Sequence, residues 1–200
     1  EAVEKRDAAE FTIQNLDKEN SLCTFSSFQS GSLYAASAID EKVKLYRLKD
    51  TLENIDEFAL PQDTAILDMV VNDKQEWIFY AIADIYNEAK RAPKILVYGE
   101  NSKEISIILP EGFEPMDILH IHCTGENYVL HASDALLLVS AQGEILYTMP
   151  RAYFTIETEK GKIYGNHDET RTVEILDTEN GTTNLLHFPD KEHVAYFTQL

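Results

Sequence analysis

Short runs of Val, Ile, Leu, Tyr and Phe alternate with polar connections along most of the chain. "KVKLYRL" (42–48), "KILVYGE" (94–100), "ALLLVSA" (135–141) and "TVEILDT" (172–178) each lead through a polar loop into a second run. Those second runs are "IDEFALP", "EISIILP", "EILYTMP" and "TNLLHFP". β-Branched and aromatic residues in such short stretches fit pleated strands, and connections bearing Gly, Asn or Asp fit hairpin turns. A helix would need apolar residues at three-and-four spacing over about twelve positions, and no segment offers that.

The pairs belong to a longer period. One run upstream of each carries a tyrosine: "LYAASAI" (Tyr34), "IFYAIAD" (Tyr80), "NYVLHAS" (Tyr128) and "KIYGNHD" (Tyr164). A fourth run precedes these: "LCTFSSF", "AILDMVV", "ILHIHC" and "YFTIETE". Each unit ends at a proline, Pro61, Pro110, Pro150 or Pro189, at intervals of 49, 40 and 39 residues. Four strands repeated about every 40 residues predict an all-β fold, a β-propeller of four-stranded antiparallel blades. The predicted blades are 21–61, 62–110, 111–150 and 151–189. "EFTIQNL" (10–16) and "HVAYFTQL" (193–200) predict one further strand at each end, with 190–200 opening another blade, and the charged residues 1–9 are expected to fray. The expectation is one propeller domain or segment within 1–200, part of a ring of five to eight blades. A compact ring of four or five blades is the alternative.

The last unit has a strand ending in Asp177 before a polar turn with Asn180 and Gly181. This resembles the outer hairpin of WD-repeat and surface-layer-type propellers. The resemblance spans the four units but is generic, because the Trp-Asp and Gly-His pairs of standard WD repeats are absent and Trp77 is followed by Ile78. It implies the propeller architecture and, as its commonest use, a rigid interaction platform; a minority of such proteins are enzymes working at the central channel.

Charge narrows the partners. With 35 acidic against 17 basic residues the formal net charge is −18, and the one basic cluster is "EAKRAPK" (88–94). Nucleic acid and anionic membrane surfaces are therefore not expected partners, whereas basic proteins suit the field. No apolar run reaches the roughly 18–20 residues of a membrane span. Cys23 and Cys123 show neither metal-ligand nor redox spacing and read as buried free thiols, with a long-range disulfide left open. The sequon at Asn180 coincides with a turn that needs Asn-Gly for backbone reasons, and the dibasic pair in "EAVEKR" resembles a propeptide cleavage site. Neither fixes a compartment.

Two sets of residues are candidates for function. The second unit inserts "IYNEAKRAPK" (85–94), a charged loop whose Ile85, Tyr86 and Arg91 are candidate binding residues. On the predicted inner strands, "HIH" puts His120 and His122 on one strand face, where Asp68 and Glu157 from the neighbouring blades would complete a carboxylate–histidine metal site. That arrangement resembles the metal-dependent lactonases of the gluconolactonase type, in which a divalent metal in the channel activates water or a carbonyl. Ser133 in "HASDA", beside His131 and Asp134, lacks the sequence context of a nucleophile elbow. The leading expectation is a non-enzymatic platform for a protein or peptide, without cofactor. The alternative is a metal-dependent hydrolase or lactonase, and a third is an assembly in which another chain completes the ring.

Overall fold

A computed structural model describes residues 23–187 apart from 30, 40, 49–51, 101, 151, 154 and 168–171. The strands expected at 10–16 and 193–200, the frayed start at 1–9 and the dibasic pair lie outside the described residues.

Sixteen strands are described, one for each predicted run that falls within the described residues. β1 (Cys23–Gln29), β2 (Ser32–Ile39), β3 (Lys42–Leu48) and β4 (Leu52–Ala59) form the first sheet. β5 (Ala65–Val71), β6 (Trp77–Ala83), β7 (Ala92–Tyr98) and β8 (Lys103–Ser106) form the second. β9 (Ile118–Thr124), β10 (Asn127–Ala132), β11 (Leu136–Val139) and β12 (Ile145–Met149) form the third. β13 (Thr155–Glu159), β14 (Lys162–His167), β15 (Thr172–Asp177) and β16 (Thr183–His187) form the fourth. Each sheet is an antiparallel meander in chain order, built from one proline-terminated repeat.

The sheets stack face to face, which explains a feature that simple alternation does not. "WIFYAIA" of β6 is apolar throughout because both its faces are covered. Trp77, Phe79 and Ala81 pack with Tyr34, Val43 and Leu45 of the first sheet, while Ile78, Tyr80 and Ile82 pack with Ile121, Leu130 and Leu137 of the third. Tyr34 and Trp77 meet edge to face at 5.3 Å between ring centroids. A third seam, holding Val129, Leu138, Tyr153, Ile156 and Ile163, joins the third and fourth sheets. Along the inner edge β1 lies beside β5, β5 beside β9 and β9 beside β13. Among the described residues no comparable packing returns from β13 to β1, so these four sheets form an open arc.

Turn chemistry follows the sequence at the stretch that set the period. Gly181 takes φ 67°, the left-handed region that glycine enters without steric cost, and its N–H donates to the Asp177 carbonyl at 2.9 Å. The Asp177 side chain accepts the Glu179 N–H, and Asn180 Oδ1 accepts the Thr182 N–H. Asn180 thus serves its own turn.

The inserted loop is shorter than the sequence implies. β7 begins at Ala92, paired with Ala83, and not at Lys94, which leaves 84–91 as the loop. Pro93 is accommodated because it lends only its carbonyl, which accepts the Ile107 N–H at 3.1 Å. Cys123 is a free cysteine, and burial pushes its thiol far above the ordinary range, so it behaves as a small hydrophobe.

Candidate functional site

Asp68 and His120 lie on adjacent inner strands, and each stands beside a β-bulge. The β5–β6 register slips between Ile66 and Asp68, and the β9–β10 register slips where Ala132 pairs with Ile118 and skips Leu119. A bulge inserts one residue, bends the strand and re-aims the side chains next to it. Here the outcome is convergence of two strands from different sheets. Asp68 Oδ2 accepts the Ile121 N–H at 2.8 Å and lies 3.4 Å from His120 Nδ1. The Asp68 hydrogen bond is the main reason the His120 pKa rises above its ordinary value, against an opposing effect of partial burial.

His122 and His131 join His120 on the same face of the third sheet. Ring centroids are 6.5 Å apart for His120 and His122, 5.9 Å for His120 and His131, and 6.5 Å for His122 and His131. His131 is buried and its Nε2 lies 3.2 Å from the Tyr153 carbonyl. The Nε2 of His122 is buried with no hydrogen-bond partner. Burial, and then the neighbouring His131, depress the His122 pKa to about 4; burial also lowers that of His131. Sequence reading placed His120 and His122 together but passed over His131, which arrives from the next strand through the pairing His131↔His120. Glu157 is half-buried on β13, and loss of hydration raises its pKa. Among the described residues no group of three or more His, Cys, Asp or Glu is arranged to hold a metal ion. The carboxylate oxygen of Asp68 nearest the histidines is already engaged by a backbone N–H.

That engagement is part of a pattern. Ser27 Oγ accepts the Val71 N–H at 3.1 Å, tying the first inner strand to the second. Asp68 ties the second to the third, and Thr158 Oγ1 donates to the Cys123 carbonyl at 2.6 Å, tying the third to the fourth. One side chain thus satisfies one inner-strand backbone group across each seam. Replacing Asp68 with Ala strands the Ile121 N–H and is expected to cost about 1–3 kcal/mol in urea unfolding, whereas Asp68→Asn, which keeps an acceptor, should cost less. Equal losses for the two variants would remove the hydrogen bond as the cause.

The second candidate set separates into one presented residue and its supports. Ile85 packs against the core cluster of the second and third sheets, and its N–H donates to the Asp63 carbonyl at 3.0 Å. Arg91 Nε donates to the Ile85 carbonyl at 2.9 Å, and its guanidinium faces Glu88 at 3.8 Å. A 3₁₀ turn at Glu88–Lys90 completes the loop. Between these anchors Tyr86 is 87% exposed. At the same end of the sheets, Ile108 is also 87% exposed, although its neighbours Ile107 and Leu109 are packed into the core. Met116 is exposed as well, next to Pro115, whose carbonyl accepts the buried Tyr80 hydroxyl at 2.8 Å.

No protein-family model and no curated protein sequence matches the chain. Solved structures do. Streptogramin B lyase aligns with a TM-score of 0.55 at 13% identity, over 88% of this chain and 58% of its own. Apo AztD from Citrobacter koseri aligns with a TM-score of 0.55 at 13% identity, over 81% and 45%. A protein of unknown function from Bacteroides caccae aligns with a TM-score of 0.53 at 11% identity, over 81% and 59%. The lyase and AztD are propeller-like, and the four four-stranded sheets correspond to blades. The chain is a β-propeller repeat protein. It spans about half the length of these structures, and at such identity the likeness concerns the fold alone.

In the propeller, connections alternate between the two ends of the blades. The end opposite Tyr86 carries a wide polar cleft of about 330 Å³ between the second and third blades, lined by Asn72, Lys74, Glu76, Lys103, Glu126 and Gln142 among others. Two lysines there face carboxylates, Lys74–Glu126 at 3.5 Å and Lys160–Glu159 at 3.4 Å, and Lys103 donates to the Ala141 carbonyl. At the Tyr86 end Asp63, Asp84, Glu111 and Asp134 are exposed and have no ion-pair partner among the described residues. No helix among the described residues is long and apolar enough to cross a membrane.

Proposed function

We propose that this propeller is a platform that binds a protein or peptide at the blade end carrying Tyr86, and that it is not itself a catalyst. The observation that carries the reading is the pairing of rigid support with exposed apolar tips. Tyr86 and Ile108 are each 87% exposed, yet Ile85, Ile107 and Leu109 on either side are packed into the core. Tyrosine on a preordered loop loses little conformational freedom on binding, which suits it to an anchoring role. The supporting contacts of Arg91 and Ile85 make the loop a built feature of this blade.

The alternative is a metal-dependent hydrolase using His120, His122, Asp68 and Glu157. The geometry favours it less, because one Asp68 oxygen accepts the Ile121 N–H and no group of three or more His, Cys, Asp or Glu among the described residues is arranged to hold a metal. Elemental analysis of the purified chain tests it, and a stoichiometric metal lost in His120→Ala/His122→Ala would revive it.

Selection of a displayed peptide library against the full chain tests the platform reading. Selected peptides are expected to lose about tenfold or more in affinity on the double variant Tyr86→Ala/Ile108→Ala, with the thermal transition unchanged. Binders indifferent to that variant but abolished by His120→Ala would overturn it in favour of a channel site.

A further inference from the structure

We propose that the segment taken up at the Tyr86 end is cationic, a stretch of protein chain rich in Lys or Arg with one aliphatic or aromatic anchor; this rests on the platform reading above. The argument begins with what that end exposes. Tyr86, Ile108 and Met116 are large apolar side chains in solvent there, all in connections between strands, whereas the other exposed large apolar residues among those described, such as Leu33 and Leu146, lie within strands. Large apolar side chains left in solvent on the connections of one end suit a contact region.

Charge then selects the occupant. Around these side chains stand Asp63 and Asp84, flanking the Tyr86 loop, and Glu111, in the connection that bears Ile108 and Met116. All three are exposed and unpaired among the described residues. The nearby guanidinium of Arg91 is occupied by the Ile85 carbonyl and Glu88, and Lys90 of the same loop, exposed and in no ion pair among the described residues, stands against these three carboxylates, which leaves the acidic groups in excess. A hydrated carboxylate without a cation costs nothing to leave exposed, but it repels an acidic partner and draws a basic one. The formal net charge of −18 extends the same preference to long range, raising the encounter rate with cations and disfavouring nucleic acid. Lysine and arginine suit such a surface for a further reason. Their aliphatic stems lie along apolar side chains such as Ile108 while their charged heads reach the rim, and a cation also packs on the Tyr86 ring face.

Fluorescence anisotropy with the full chain and three labelled peptides of equal length tests this. The peptides are Lys/Arg-rich with one Leu or Trp, Lys/Arg-rich with Gly at that place, and Glu-rich with the Leu or Trp. The first is expected to bind about tenfold or more tighter than either other, with affinity falling as salt rises. Charge reversal by Asp84→Lys/Glu111→Lys should weaken it about tenfold or more, while Glu126→Lys/Glu144→Lys at the opposite end should change it less than about twofold. Equal weakening by both reversals would mean attraction to net charge alone and would overturn the proposal. Equal binding of the cationic and acidic anchored peptides, both lost in Tyr86→Ala/Ile108→Ala, would overturn the charge preference and leave the platform standing. Binding of none of the three, together with a library selection that yields nothing sensitive to Tyr86, would remove both.

Discussion

Acidification from pH 6.5 to 4 is expected to cost the folded state about 3 kcal/mol through His122. An unfolded chain returns this imidazole to its ordinary pKa of 6.5, whereas burial between the third and fourth blades, with His131 close by, holds it at about 4. Below pH 6.5 the unfolded chain therefore binds a proton that the native chain refuses, and stability falls until the native pKa is reached. His131, also lowered by burial, acts in the same direction. His120 opposes them: its pKa is raised by Asp68, so its contribution is complete below pH 6.5 and is lost as pH rises through the folded value. It is more than half exposed, so solvent weakens that effect. Glu157, whose pKa burial raises, adds a small gain as the pH falls. Urea unfolding at pH 7, 6, 5 and 4.5 on wild type and His122→Leu isolates the difference. The variant should lose markedly less stability with acid, and parallel curves would show that His122 is not held neutral by the fold.

The architecture was legible because the propeller is written in local signals. Strand composition, turn residues and a terminal proline recur in each unit, and each of the four runs expected in each of the four units corresponds to a strand. The error at the inserted loop has the same local origin. Pro93 looks like a strand breaker, but its carbonyl meets the Ile107 N–H from a connection fourteen residues away, which no window around Pro93 reveals. The inner strands were legible only in part. Two-residue spacing aligned His120 with His122, and the bulges that steer Asp68 toward β9 left no mark in the sequence. Strand phase counted from unbulged runs loses its meaning beyond such a point. His131 illustrates the converse, since its place beside His120 depends on pairing register, a tertiary property.

For the Tyr86 end, the sequence identified the loop but not the division of labour within it. Ile85, Tyr86 and Arg91 are alike as candidates until packing assigns Ile85 to the core and Arg91 to the loop backbone. Ile108 has no sequence signal at all, because it sits in an apolar run, "IILP", whose other members are buried or half-buried. Only its direction in space separates it from Ile107.

Substituting Gly165 with Ala should destabilise the propeller by about 3 kcal/mol or more, although the backbone there is not in a glycine-specific conformation. A Cβ at this position would stand 2.2 and 2.3 Å from two carbons of the Tyr153 ring, well inside van der Waals contact. Whether that overlap is relieved depends on the freedom of Tyr153, and it has little. The ring is buried in the seam between the third and fourth blades, its hydroxyl donates to Glu174 at 2.6 Å and touches the Met149 sulfur, and its carbonyl faces His131. Displacing it would break the hydrogen bond to the buried Glu174 carboxylate and open a void beside Ile156 and Ile163. The glycine in "KIYGNH" is thus a packing residue, the flat place on β14 that admits a tyrosine laid across it. Thermal and urea unfolding of Gly165→Ala test the size of the effect, and Gly165→Ala/Tyr153→Leu tests its cause. Tyr153→Leu alone loses the hydroxyl contact, but adding the alanine to it should cost far less than adding it to the wild type. A cost equal in both backgrounds would locate the strain in the strand itself and not in the ring that crosses it.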